Sequence, residues 1–86
     1  MAKLYLTDGT IKEVFPQDKE NGFTLEECYE LIGCELIELI RWGDTDLVCD
    51  EEGTFRNDAQ LNIGIWRDYG IKLVGNVLQC EPGEFQ

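Results

Sequence analysis

The side chains that could do chemistry in this chain are carboxylates, and the densest run of them is Asp44-x-Asp46 followed by Asp50-Glu51-Glu52. Clustered carboxylates are what a hard cation such as calcium needs. Counted from Asp44 as position one, however, a calcium loop would require glycine at position six, where Cys49 stands, and glutamate at position twelve, where Phe55 stands. Calcium binding is therefore not expected. Glu51 and Glu52 invite an acid/base reading, but adjacent residues point to opposite faces of a strand or into solvent in a turn, and so do not converge on one substrate. The chain has no histidine, and it shows no nucleophile motif and no glycine-rich phosphate loop. It reads as non-enzymatic, with no cofactor expected.

The four cysteines could form the disulfide framework of a small secreted domain. Their placing favours reduced thiols acting as small hydrophobes. Cys28 lies on an apolar helix stripe, Cys34 opens a strand, Cys49 ends one, and Cys80 sits in the last apolar run. No Cys-x-x-Cys pair is present, so a structural zinc site is not expected.

Charge sets the partners that such a chain can take. Eighteen acids against seven bases give a net charge of −11, and from Glu20 to Glu52 eleven acids stand against Arg41 alone. Direct nucleic-acid binding is disfavoured, because that affinity comes from cations neutralising phosphates. A protein partner with a basic surface is the electrostatic complement.

The elements that must hold these residues are legible in part. Eighty-six residues make a single domain with one modest core. Lys3 to Thr7 and Ile11 to Phe15 read as strands, joined by Asp8-Gly9 as a type I′ hairpin turn. Pro16 ends the second strand. Thr24 and Glu27 form a capping box that starts a helix. Leu25, Cys28, Tyr29 and Ile32 make its buried stripe, Glu26, Glu27 and Glu30 face solvent, and Gly33 stops it.

The run Glu35-Leu36-Ile37-Glu38-Leu39-Ile40 is apolar on both faces and reads as a strand that is central or covered on both sides. Trp42-Gly43-Asp44-Thr45 turns it back into Asp46 to Asp50, an antiparallel partner. Glu51-Glu52-Gly53 is a tight acidic turn, and Thr54-Phe55-Arg56 a short extension of the same strand. Asn57 to Gly70 suggests a short or irregular helix capped by Asn57 or Asp58, weakened by Gly64, which costs about 1 kcal/mol relative to alanine. Ile71 to Cys80 reads as a last strand with a bulge at Gly75-Asn76, and order ends near residue 81. The expected fold is α+β, a small mostly antiparallel sheet with one well-defined helix packed on one face, in the order ββαββ(α)β.

Several of these segments carry a family likeness. Phe23-Thr24-Leu25-Glu26-Glu27, Leu31-Ile32-Gly33 before an Ile-Glu-Leu strand, Asp50-Glu51-Glu52-Gly53, and Leu73-Val74-Gly75-Asn76-Val77-Leu78 resemble the domain-of-unknown-function 3846 family. Gly33-Cys34 stands where members carry a small-residue pair, and the Asp8-Gly9 hairpin with Val14-x-Pro16 is similar too. The stretch from Leu61 to Tyr69 departs from the family pattern. The resemblance implies a small protein of phages, plasmids or conjugative elements of bacteria, and it implies no activity.

The expected function is that of an interaction protein docking on a basic surface of a host or phage protein, through Glu26, Glu30, Asp44, Asp46, Glu51, Glu52 and an exposed Trp66. A sharper form is imitation of DNA charge. Carboxylates at i and i+2 of a strand lie about 6.7 Å apart and those at i and i+4 of a helix about 6 Å apart, spacings that can present a phosphate-like row. The rival is a small-ligand or nucleotide-signal protein, for which Arg41, Arg56, Arg67 and Lys72 would have to converge. A third reading is a homodimer through an exposed sheet edge. With no signal segment and no apolar stretch near the ~20 residues of a membrane span, the expected location is cytoplasmic and no membrane contact is expected.

Overall fold

In the computed structural model, which describes residues 2–17, 22–53 and 60–81, local chemistry sets the first hairpin. Strands β1 (Ala2–Tyr5) and β2 (Ile11–Val14) pair antiparallel, Leu4 opposite Lys12. Leu6 N–H donates to the Thr10 carbonyl at 2.9 Å and Gly9 N–H to the Leu6 carbonyl at 3.1 Å, so the loop has three residues rather than two. Only Gly9 takes a positive φ, +93°. The turn is thus a tight turn closed by a left-handed glycine and not the expected type I′ turn, whose first central position would force positive φ on Asp8. Asp8 instead keeps negative φ and accepts a hydrogen bond from the Thr10 N–H at 2.8 Å.

Helix α1 (Leu25–Ile32) begins and ends as its sequence dictates. Thr24 Oγ1 accepts from Glu27 N–H, the Glu27 carboxylate accepts from Thr24 N–H, and Gly33 closes the helix at φ +81°. Phe23 before the cap and Cys28 in the second turn are both fully buried in one cluster, a hydrophobic staple that fixes the entry angle of the chain. Cys28 and Ile32 are buried. Leu25, expected on the same stripe, is exposed, and Phe23 just before the helix makes the core contact at that end instead.

Strands β3 (Ile37–Trp42) and β4 (Thr45–Asp50) form the second hairpin, with Trp42 opposite Thr45 and Gly43 at φ +63°. Helix α2 (Ile63–Tyr69) and strand β5 (Val77–Cys80) complete the chain. All five strands are antiparallel neighbours in the order β2-β1-β5-β4-β3. The architecture is α+β in the expected order ββαββ(α)β.

Strand alternation gives the sheet two covered faces. Leu78, Cys80, Val48 and Ala2 point to the α1 side and pack with Phe23, Cys28, Ile32 and Cys34. Tyr5, Leu47, Cys49 and Val77 point to the other side and pack with Ile65 of α2. The second helix therefore covers the face opposite the first.

Three further sequence expectations are corrected by the sheet. Strand β3 is neither central nor covered: it is an edge strand, with Leu39 38% and Trp42 41% exposed and Leu36 just before it 47% exposed. Its apolar pattern reports composition, and position within a sheet depends on distant strands. Helix α2 is capped by Asn62 rather than Asn57 or Asp58, which lie outside the described residues, as do Thr54-Phe55-Arg56 and the tail beyond 81. The last strand is shorter than expected, because residues 73–75 are drawn to a different partner. Asn62 N–H donates to the Leu73 carbonyl and Gly75 N–H to the Gln60 carbonyl, both at 2.8 Å, and Leu61 bridges Val74. Gly75, at φ +82°, ends that exchange and releases the chain into β5.

Asn62 is fully buried and joins three segments. Its Nδ2 donates to the carbonyls of Tyr5 at 2.9 Å and Gly75 at 2.8 Å, while its Oδ1 accepts the Ile65 N–H at 3.1 Å. Replacing Asn62→Ala would strip the helix cap and orphan two carbonyls at once. A loss of about 2–4 kcal/mol is expected, read as a lower urea midpoint at unchanged slope; an unaltered midpoint would contradict this role.

Candidate functional site

The placement of charge follows from strand alternation. On the α1 side lie Glu26 and Glu30 on the outer surface of α1, Glu35 just after it, and Asp46 and Asp50 on the strand face that also carries Val48. Glu27 shares that helix but is committed, accepting hydrogen bonds from the Thr24 and Gln17 N–H groups. Against these acids the described bases of that side are Arg41, opposite Asp46 in the ladder, and Lys12, opposite Leu4. On the α2 side Glu13, Glu38 and Asp68 stand with Lys3, Arg67 and Lys72, and Glu81 follows the end of β5. Among the described residues the acidic excess therefore falls mostly on the α1 side and on the turns, at Asp8, Asp44, Glu51 and Glu52, with Glu81 at the end of β5.

The expected docking residues divide accordingly. Glu26 and Glu30 sit one helical turn apart on exposed helix surface, and Asp44 and Asp46 lie at the β3–β4 turn end of β4. Glu51 and Glu52 follow its opposite end, where the Asp50 carboxylate accepts the Glu52 N–H at 2.9 Å and fastens the turn. Asp46 is 5% exposed, so most of that side chain is covered. Trp66 is exposed on α2, across the sheet from these carboxylates, with Lys72 Nζ 5.4 Å from its ring centroid. The helical acids therefore lie on one surface, Asp46 is buried on that same side of the sheet, and Trp66 belongs to the other surface.

At the end of α1 the surface dips into a shallow cleft, largely open to solvent, of about 460 Å³ and lined by Tyr29, Glu30, Gly33, Cys34 and Glu35. Two carboxylates beside a tyrosine ring suit an ammonium or guanidinium group. Sequence reasoning did not single out Tyr29 or Glu35 for this role, since their approach depends on where Gly33 turns the chain.

On the α2 side a polar cluster was also missed. Tyr5 OH donates to Asp68 Oδ2 at 3.0 Å and Arg67 Nε donates to Asp68 Oδ1 at 3.0 Å. Tyr5 and Tyr69 meet edge to face with ring centroids 6.2 Å apart. Burial, and then the bond to Asp68, push the Tyr5 hydroxyl well above its ordinary range, while the Arg67 hydrogen bond holds Asp68 low. This cluster is self-satisfied and fastens α2 to β1. The cations sought for a phosphate ligand do not meet: Arg41 lies on β3 on the α1 side, Arg67 is held by Asp68, Lys72 is over Trp66, and Arg56 lies outside the described residues.

Among the described residues no three His, Cys, Asp or Glu side chains are grouped to hold a metal ion, and no helix is long and apolar enough to cross a membrane. The family model of the domain of unknown function 3846 matches residues 3–86. The chain belongs to that family. No curated protein and no solved structure matches it. Because the 3846 family carries no assigned activity, its surface chemistry bears the functional argument.

The cysteines of this 3846-family chain are all buried thiols. Burial, with Glu27 and Cys34 adding repulsion, pushes Cys28 up to about 12 from an ordinary 9.0; burial, then Glu38 and Asp50, pushes Cys49 up to about 11. In both the folded value is raised, so the folded state keeps a proton that the unfolded chain releases. Their contribution is therefore intact below pH 9.0 and is lost as pH rises towards 11 and 12. The urea midpoint should stay level to about pH 8.5 and then fall, each thiol adding about 1.4 kcal/mol per pH unit to the slope. Thiol reagent at pH 8 should label four cysteines in denaturant without reductant and label the native protein far more slowly. A midpoint level to pH 11, or fewer than four labelled thiols, would count against this account.

Proposed function

We propose that the protein is a non-enzymatic interaction module whose α1 side docks on a basic surface of a partner protein. The observation that supports this reading is the uneven distribution of charge: the exposed Glu26, Glu30 and Glu35 and the half-buried Asp50 share the α1 side, while Lys3, Arg67 and Lys72 offset most of the acids of the α2 side. A field of one sign on one face steers association with the opposite sign and rejects like-charged surfaces. The cleft of Tyr29, Glu30 and Glu35 would take one lysine or arginine of the partner, giving the dock a fixed point within an otherwise diffuse field.

The partner is a host or phage protein, on the reading that this is a protein of a mobile element. The sharper form is that the partner normally binds DNA and meets on the α1 side a substitute for phosphate charge. A small-ligand function has less support, because the described cations are dispersed or already engaged.

An affinity capture from bacterial lysate at low and high salt tests the proposal. Basic proteins, with nucleic-acid-binding proteins among them, should be retained at low salt and released at high salt. Glu26→Lys with Glu30→Lys should weaken capture by about tenfold or more, since like charges across an interface cost several kcal/mol. Glu13→Lys, a reversal of the same sign on the other side, should change it far less. Retention that is indifferent to salt and to the α1 reversals, or a nucleotide recovered with no protein, would overturn the reading.

A further inference from the structure

The two edges of the sheet are not equivalent. In an antiparallel ladder the residues bonded to the neighbouring strand alternate with residues whose N–H and C=O point away from it. Glu51 N–H donates to the Leu36 carbonyl at 3.1 Å, and Leu36 and Glu51 continue the register in which Ile37 faces Asp50. The even residues of β3 therefore bond to β4, and Ile37, Leu39 and Arg41 turn their backbone groups outward. On β2, Leu6 N–H donating to the Thr10 carbonyl fixes the same logic: Lys12 and Val14 bond inward, and Ile11 and Glu13 face outward.

We infer that β3 is a dimer interface, pairing antiparallel with β3 of a second copy in the register that sets Leu39 opposite Leu39. In that register Ile37 meets Arg41 and Arg41 meets Ile37, so all three outward-facing residues of each strand exchange backbone hydrogen bonds. Glu38 meets Ile40, and the exposed Leu36 meets the exposed Trp42. No like charges oppose one another. Centring the pair on Glu38 or on Arg41 would put like charges face to face, which is destabilising, and centring it on Ile40 would set Ile37 against the Gly43 turn. The β2 edge lacks this self-complementarity. Centring it on Lys12 opposes two lysines, centring it on Glu13 opposes two glutamates, and Pro16 shortly follows the strand.

The two-fold axis of such a pair runs perpendicular to the sheet. The strands form one continuous ten-stranded sheet from the five of each copy, with both α1 helices on the same side. This inference stands apart from the proposed docking function. Its consequence for that function is that two acidic sides would be presented together, which raises avidity for a basic partner with two sites.

Sedimentation equilibrium of the full chain over a wide concentration range tests it. A monomer–dimer equilibrium is expected that tightens with added salt, because each copy carries a net charge of −11 and screening relieves their repulsion. This is opposite in sign to the salt response of the basic-partner complex, so the two ideas fail separately. Leu39→Lys should weaken the dimer by about tenfold or more by opposing two cations at the axis, and Phe15→Lys beside β2 should not. Leu39→Cys, a milder change, should give a covalent dimer on gentle oxidation, since directly opposed hydrogen-bonded residues have Cα atoms about 5.5 Å apart, within disulfide reach. A chain that stays monomeric at every concentration and salt, a dimer insensitive to Leu39→Lys, or Leu39→Cys that fails to cross-link would overturn the inference.

Discussion

The Asn62 side chain is the point on which the rest of the structure hangs. A short helix of seven residues is not stable alone and must be held by tertiary contacts. Asn62 supplies them from a buried position, capping α2 through Ile65 N–H and tying its start to β1 at Tyr5 and to the approach of β5 at Gly75. Once α2 is seated, Gly64 lies so close to β1 that an added Cβ would stand 2.9 Å from the Tyr5 ring. The glycine that weakens the helix as a sequence is what lets it approach the sheet. Tyr5 then completes the contact by donating to Asp68 one turn further on.

With α2 covering one face and α1 the other, the faces of the sheet are spent and its edges remain. The edges differ in length and chemistry. β2 is a four-residue strand with Lys12 and Glu13 at its centre, and charged residues on short edges deter strand addition. β3 has six residues and carries Leu39 and Trp42 in the open. Solvent-exposed apolar side chains beside unpaired backbone groups are the combination that sheet edges ordinarily avoid, which is why β3 and not the acidic helix is the least neutral part of this surface.

What the sequence made legible was what short-range chemistry decides. The capping box of Thr24 and Glu27, the stop at Gly33 and the turn at Gly43 each need only neighbours within a few residues, and each is where the sequence places it. The five strands and the α+β class follow from patterning of the same range. The order of strands does not, because it depends on pairings such as Lys3 with Gln79, which no local pattern encodes. That is why an apolar run could read as central while β3 sits at an edge. Leu73 and Val74 have strand-like composition but are claimed, with Gly75, by residues 60–62, a contest that only the whole fold decides. The acidic residues were visible from the start; their division between two faces required knowing which parity of each strand meets which helix.

Charge and edge are thermodynamically linked on these readings. Two copies brought together at β3 place their acidic sides next to one another on one side of the joined sheet, and self-repulsion opposes the pairing that backbone and apolar contacts favour. A basic partner on the α1 side would remove part of that repulsion. Its binding would then strengthen β3 pairing, and by reciprocity pairing would strengthen its binding by the same factor. On these two proposals together, the acidity of this chain would have a physical consequence beyond solubility: it would oppose pairing of the apolar edge in isolation and favour it once a cationic surface is bound. Such a coupling would need no conformational change within the subunit, because the two sites would act on each other through the field that they share.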